Sequence, residues 1–237
     1  MRKAVAAACV VAAAGAAAAV AWLARPDGGS ARTLAPIPAS VTIAGRGSSL
    51  LLTFSGAAAT LPAPRLSAFR APRRAADALP PQARALLAHV PLGSSSDMVA
   101  ARGGGGGAVE PGRSRLLLAG LGRLGSSLYA APTGRGFVCF VLVPEELSRC
   151  VSSLSDGLAS LSLEQTRTRT IATGVVADRV RSVALVVGGD TRPASVGRNG
   201  FFGELPGVAA ADVDALLLTT RDGERLRLPL DRGSFRP

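Results

Sequence analysis

Histidine and lysine are almost missing from this chain. Its 237 residues include one histidine, His89, and one lysine, Lys3. A metal centre built from several imidazoles is therefore excluded, and Ser-Lys or Schiff-base chemistry has no lysine outside the N-terminal segment. Aromatic residues make up 4 % of the chain, with a single Trp and a single Tyr, so the interleaved stacking platforms that hold nucleic acid are absent and no nucleic-acid partner is expected. Gly103 to Gly107 is not a phosphate loop, because it lacks the Lys-Ser/Thr ending that reaches the phosphates. Nothing in the residue pattern implies a cofactor or a metal.

What is present begins at the N-terminus. Arg2 and Lys3 precede an apolar run from Ala4 to Leu23, closed by Arg25 and Pro26. A basic flank ahead of such a run is an export signal, and helical residues at about 1.5 Å each carry it across roughly one hydrocarbon core. The run is longer than the apolar region of a cleaved signal, and Trp22 stands where an interfacial aromatic would sit. We read residues 1–25 as an uncleaved anchor, giving a single-pass cell-membrane protein whose C-terminal part is extracytoplasmic. The alternative is a secreted chain cut near Ala17-Ala18-Ala19. Cys9 lies too close to Lys3 for a lipoprotein box and reads as a small apolar residue of the run.

The net charge is +11. Arginine supplies all the cations except Lys3, and with abundant Ala and Gly this is the codon signature of a GC-rich genome, which explains the basicity without a partner. What remains is the attraction of a cationic exported domain to an anionic envelope polymer or to lipid head groups. Residues 25–113 hold ten arginines against four acids, whereas residues 114–237 hold fifteen against twelve. The middle of the chain is the basic part.

Along the chain, residues 26–92 read as a basic, Pro-rich stalk region. It opens with Asp27-Gly28-Gly29-Ser30, followed by Pro36 and Pro38. Within it, Val41 to Ile43 and Leu50 to Phe54 flank a Gly-rich turn as a possible short hairpin, and Pro80-Pro81 start a helix that places Ala83, Leu86, Leu87 and Val90 on one face before Pro91 stops it. Residues 93–113, with Ser94 to Ser96 and the glycine run, are a Gly/Ser-rich linker. Residues 114–237 read as the β domain. Arg115 to Leu121, Ser127 to Ala131, Phe137 to Val143, the alternating Thr166-Arg167-Thr168-Arg169-Thr170, Ser182 to Val187, Thr191 to Val196, Ala215 to Thr220 and Glu224 to Leu230 are strands separated by Gly, Pro or Asp-Gly turns. The fold class is mainly β: a small antiparallel sandwich or barrel-like C-terminal domain, after a transmembrane helix and a Pro/Gly-rich region with one short helix.

The run Phe69-Arg70-Ala71-Pro72-Arg73-Arg74-Ala75-Ala76-Asp77-Ala78-Leu79-Pro80, together with Leu128 to Pro132, Val138-Cys139, Cys150 and Gly197-Arg198-Asn199-Gly200-Phe201-Phe202, resembles a group of exported or membrane-anchored proteins of GC-rich bacteria, a family of unknown function. The resemblance implies an anchored extracytoplasmic β domain and brings no catalytic or binding residues with it.

Four sets of residues are candidates for chemistry or structure. His89 with Ser94, Ser95 or Ser96 and Asp97 contains the residue types of a hydrolase triad, but there is no Gly-x-Ser-x-Gly elbow, and a helix-end histidine that caps carbonyls is the plainer reading. Glu145-Glu146 and Asp212 with Asp214 are paired carboxylates that read as solvated acids. Arg167 and Arg169, joined across a sheet by Arg179 and Arg181, form a candidate basic stripe. Cys139 and Cys150 are the two cysteines beyond the leader, and in an exported domain they are expected to form a disulfide whose loop is worth about 3 kcal/mol. The function expected is a non-enzymatic, membrane-tethered binding or scaffolding role at the cell envelope. The alternatives are a secreted anionic-polymer-binding protein and a hydrolase using His89.

Overall fold

Leucine alternates with arginine near the C-terminus, and that alternation sets the geometry of the main sheet. Successive strand residues point to opposite faces, so Leu226, Leu228 and Leu230 share one face and Arg225 and Arg227 the other. In the computed structural model, which describes residues 30–44, 49–54, 62–88, 108–151, 154 and 156–231, this segment is strand β14 (Arg225–Asp231). Its three leucines enter a core with Leu216, Leu218, Val183, Leu185, Phe201 and Leu163.

From β14 the sheet runs through antiparallel neighbours. These are β13 (Val213–Thr220), β10 (Val180–Val187), β11 (Asp190–Gly197), β12 (Gly200–Pro206), β9 (Arg169–Val175), β8 (Leu161–Gln165), β3 (Ser49–Phe54) and β2 (Ile37–Ala44). Strand β2 then pairs in parallel with β14, at Leu230↔Ile37 and Asp231↔Pro38, and the two-residue β1 (Arg32–Thr33) pairs with the other end of β14. The sheet closes on itself as a barrel. Glycine makes one tight approach possible: a Cβ on Gly174 in β9 would lie 2.0 Å from the Ser160 carbonyl oxygen and 2.6 Å from the Phe201 ring.

A second sheet, the meander β4 (Arg115–Leu121), β5 (Ser126–Pro132), β6 (Val138–Val143) and β7 (Leu147–Val151), lies against the outside of the barrel. Leu117, Leu128, Phe140 and Leu142 on its inner face meet Ile171, Val175 and Phe202 of the barrel, together with Leu66 and Phe69 from around helix α1 (Ser67–Arg70). The outer face carries Ala131, Cys139 and Val141 and is covered by Ala83 and Leu87 of helix α2 (Pro81–Ala88). Strand β6 is thus buried on both sides along its whole length, which is why it reads as a continuous apolar run instead of an alternation. Cys139 and Cys150 are register partners in the β6–β7 hairpin, and their sulfurs stand at disulfide distance.

Three expectations change. The region 26–92 is not a stalk. Its strands β1, β2 and β3 complete the barrel, and α1 and α2 cover the second sheet, so the β domain begins near residue 32 and not at 114. The prolines misled because Pro36 falls in the break between β1 and β2, and Pro38 sits at the start of a strand, where a missing donor is tolerated. The linker 93–113 ends earlier than its composition suggests: Val109 bridges to Thr133 and Glu110 N–H donates to the Pro132 carbonyl, while residues 93–107 lie outside those described. Finally, Thr166 to Thr170 is not one strand: Thr166 to Thr168 turn between β8 and β9, and Arg169 and Thr170 open β9. Gln165 pairs with Thr170, and the Thr166 N–H and hydroxyl both donate to the Arg169 carbonyl. A two-residue period among wholly polar side chains has no buried face to enforce it.

A fragment 114–237 lacks the three strands that close the barrel and exposes the edges of β8 and β14. It is expected to aggregate or to unfold without a cooperative transition in circular dichroism, whereas a chain from residue 30 onward gives a single transition. A soluble, cooperatively unfolding 114–237 fragment would contradict this architecture.

Candidate functional site

The strand directions bring one set of turns to one mouth of the barrel: the entry at Arg32, the β13–β14 turn 221–224, the connection 176–179 and the β11–β12 tip at Arg198-Asn199. Segment 62–70 docks there. The tip residues have φ of 43° and 68°, the left-handed backbone of a tight two-residue hairpin turn whose twist matches the strands. A Cβ at Gly200 would fall 2.7 Å from Leu117 Cβ, so the glycine lets β4 lie directly on the hairpin.

Each tip residue sends its side chain into a different junction. Arg198 reaches the Asp77 carboxylate, which has no solvent exposure, and also donates to the Leu116 carbonyl at 2.9 Å. Asp77 further accepts the Arg74 N–H at 2.8 Å and the Leu116 N–H at 3.0 Å. Burial opposes charge on this carboxyl, but the Arg198 bond and the two backbone donors outweigh it and hold the pKa at about 2. Beside it, buried Arg115 spends its guanidinium on the carbonyls of Ala68, Ala71, Arg113 and Ser114 at 2.8–3.0 Å.

Asn199 makes the second junction. Its carbonyl oxygen accepts the Ala68 N–H at 2.9 Å and the Ser67 hydroxyl at 3.0 Å, and its amide donates to the Val176 carbonyl and to Asp178 Oδ1. Asp178 also accepts from the Ser67 N–H and from Arg70. Burial again opposes the charge, and these donors again win, holding Asp178 at about 2. Next to this junction lies a cleft of about 370 Å³ with an apolar wall of Pro62, Leu66 and Leu154. Arg65, Arg179, Asp156 and Asp178 are its charged lining. With its carboxyl held so acidic and its oxygens taken by donors, Asp178 is a structural clamp and a poor proton acceptor at neutral pH. The arginines give the cleft the means to hold an anion.

The residues singled out from the sequence fall as follows. Arg167 and Arg169 lie before β9, or at its start, and Arg179 follows its end; strands β12 and β11 separate β9 from β10, which carries Arg181. The four arginines therefore do not form one stripe. Arg169 is paired with Glu204, whereas Arg179 and Arg181 are exposed at the mouth just described. The stripe failed because it was built on Thr166 to Thr170 as one strand, whereas the β8–β9 turn holds Arg167 and β9 begins at Arg169. Glu145 accepts from the Ser126 hydroxyl and Glu146 from Gln82 Nε2, both in the β6–β7 turn region, and Asp214 accepts the Gly188 N–H. His89, Ser94 to Ser96 and Asp97 lie outside the described residues. Among the described residues no group of three or more His, Cys, Asp or Glu comes together, and no helix is long and apolar enough to cross a membrane.

Asp77, Arg115, Asp178, Arg198 and Asn199 were not singled out as chemistry. One signal was available in part: Gly197 and Gly200 bracket a turn, and its first residue, Arg198, forms the ion pair with Asp77.

The two depressed carboxyls dictate an acid response. Their folded pKa values lie below the unfolded value of about 3.9, so the stability they add is complete above that pH and is lost as pH falls toward 2. The thermal midpoint is expected to drop steeply between about pH 4 and pH 2, and Asp77→Asn is expected to lower stability at neutral pH while flattening that drop. A midpoint independent of pH over this window, or an unchanged slope in the variant, would refute the assignment.

Comparison with known protein families, with characterised proteins and with solved structures gives no match for this chain.

Proposed function

We propose that this chain is a non-enzymatic, membrane-tethered extracytoplasmic protein with a binding or scaffolding role at the cell envelope. The observation that carries this reading is the apolar run Ala4 to Leu23 between Arg2-Lys3 and Arg25, followed at Arg32 by the first barrel strand. A basic flank with a run of that length is read as an anchor, with the basic end retained inside. Two further features agree with it. The cysteine pair Cys139–Cys150 at bonding distance suits an oxidising compartment. The mouth of the barrel offers an arginine-rimmed cleft in which the half-buried carboxylate of Asp178 is engaged in holding segment 62–70, an arrangement for binding and not for proton transfer.

Fractionation of native protein tests this. The chain is expected to remain with membranes in high salt and to keep Met1 to Leu23 by mass, and under non-reducing conditions Cys139 and Cys150 are expected to resist alkylation. A salt-extractable chain starting near residue 20, or two alkylatable thiols, would overturn the tether or the compartment respectively.

A further inference from the structure

The barrel mouth that carries the cleft is also the mouth through which the chain arrives from the leader. Strand β1 runs parallel to β14, so Arg32 stands beside the β13–β14 turn and forms a 2.8 Å ion pair with Glu224. Residues 26–31 separate Arg32 from Arg25. Fully extended, six residues span roughly 20 Å. If the leader stays in the bilayer, as proposed above, this mouth is held within about 20 Å of the head groups.

The charge of the mouth fits that position. Two of its acids are ion-paired, Asp178 with Arg70 and Glu224 with Arg32, whereas Asp222 takes the neutral Thr220 hydroxyl and keeps its charge. Asp156 is exposed. Arg65, Arg179 and Arg181 are exposed too, and Arg179 acts through space on the nearby Asp222. Arg221 adds a fourth exposed guanidinium, held by its Nε to the Asp178 carbonyl at 2.7 Å. Counting every charge, six arginines (Arg32, Arg65, Arg70, Arg179, Arg181 and Arg221) stand here against four acids (Asp156, Asp178, Asp222 and Glu224), whereas at the far mouth Arg167 and Arg192 stand against Asp190, Asp212 and Asp214. The apolar wall of Pro62, Leu66 and Leu154 beside Arg65 and Arg179 suits a phosphate carried on a lipid, since a soluble polyanion has no use for it.

We infer that this mouth is a docking surface for anionic phospholipid head groups, with Arg65, Arg179 and Arg181 as the cations that meet the phosphates. The inference rests on the tether reading and deepens it: the barrel lies on the membrane that anchors it, with its open end and cleft against the head groups. Several guanidiniums held at the surface of an anionic leaflet act together, and salt screens them.

The test uses the full chain in nanodiscs of phosphatidylcholine, with or without phosphatidylglycerol, read by hydrogen exchange. Amides of residues 176–181 and 220–225 are expected to exchange several-fold more slowly with phosphatidylglycerol present, and this slowing is expected to vanish in high salt and in the triple variant Arg65→Gln, Arg179→Gln, Arg181→Gln. Protection of β9 and β12 reports that the variant is folded, and Arg167→Gln with Arg192→Gln at the far mouth is expected to behave as the parent. Equal exchange in both lipids, or a triple variant that responds as the parent does, would overturn the surface. So would inorganic polyphosphate protecting the same amides as strongly without phosphatidylglycerol, which would assign the mouth to a soluble polymer. Failure to insert would refute the tether alone. The uninserted chain then decides the surface by flotation: binding to phosphatidylglycerol vesicles and not to phosphatidylcholine vesicles supports it, and no binding overturns it.

Discussion

The docking of segment 62–77 and of strand β4 at one mouth of the barrel depends on two consecutive residues in left-handed backbone, Arg198 and Asn199. A tight hairpin of this twist demands positive φ at both positions, a conformation that costs an ordinary residue about 1–2 kcal/mol. Glycine would relieve that cost. Arginine and asparagine are there instead, and each offsets it with side-chain bonds that glycine cannot make. Arg198 neutralises the fully buried Asp77, and Asn199 joins Ala68, Ser67, Val176 and Asp178. Through these bonds the tip fastens segment 62–77 and strand β4 to the barrel.

Burying charge in this way carries a risk that the geometry answers. A lone buried carboxylate is strongly destabilising, and removing one partner of a buried pair typically costs about 3–5 kcal/mol. Asp77 escapes this because Arg198 and two backbone N–H groups meet it. Arg115 escapes because main-chain carbonyls surround its planar guanidinium fork. Apolar packing alone would hold the second sheet against the barrel but would leave its register loose, whereas these directional bonds fix where segment 62–77 sits. The clamp also shapes the surface. By committing Asp178 to the junction it leaves Arg65 and Arg179 against Asp156 as the exposed charges beside the cleft, so the bonds that hold the fold together also tip the cleft toward cations.

Much of the barrel was legible in the sequence because its strands are half-buried and alternate. Leu226, Leu228 and Leu230 in β14, the glycine and Asp-Gly turns, the helix begun by Pro80-Pro81 and the Cys139–Cys150 pairing all follow from local pattern or from simple counting. Closure was not legible. Which strand pairs with β14 and β8 is decided by partners nearly two hundred residues away in one case and over a hundred in the other, and the prolines flanking β1 and β2 pointed to a stalk. The alternating Thr166 to Thr170 failed for the opposite reason: the pattern was regular, but it had no apolar face to bury. The site was the least visible part. Asp77 and Arg198 are 121 positions apart and Ala68 and Asn199 are 131 apart, and no local signal marks one residue of such a pair as the other's partner.

The claim that the hairpin tip holds segment 62–77 in place is tested most directly by Asn199→Gly, which preserves the positive φ and removes only the side chain. Hydrogen exchange is the readout. The account predicts that the amides of Ser67 and Ala68 lose most of their protection while those of β9, β12 and β13 keep theirs, because the barrel closes without the clamp but the segment does not dock without it. Unchanged protection at Ser67 and Ala68, or an equal loss across the barrel strands, would contradict it.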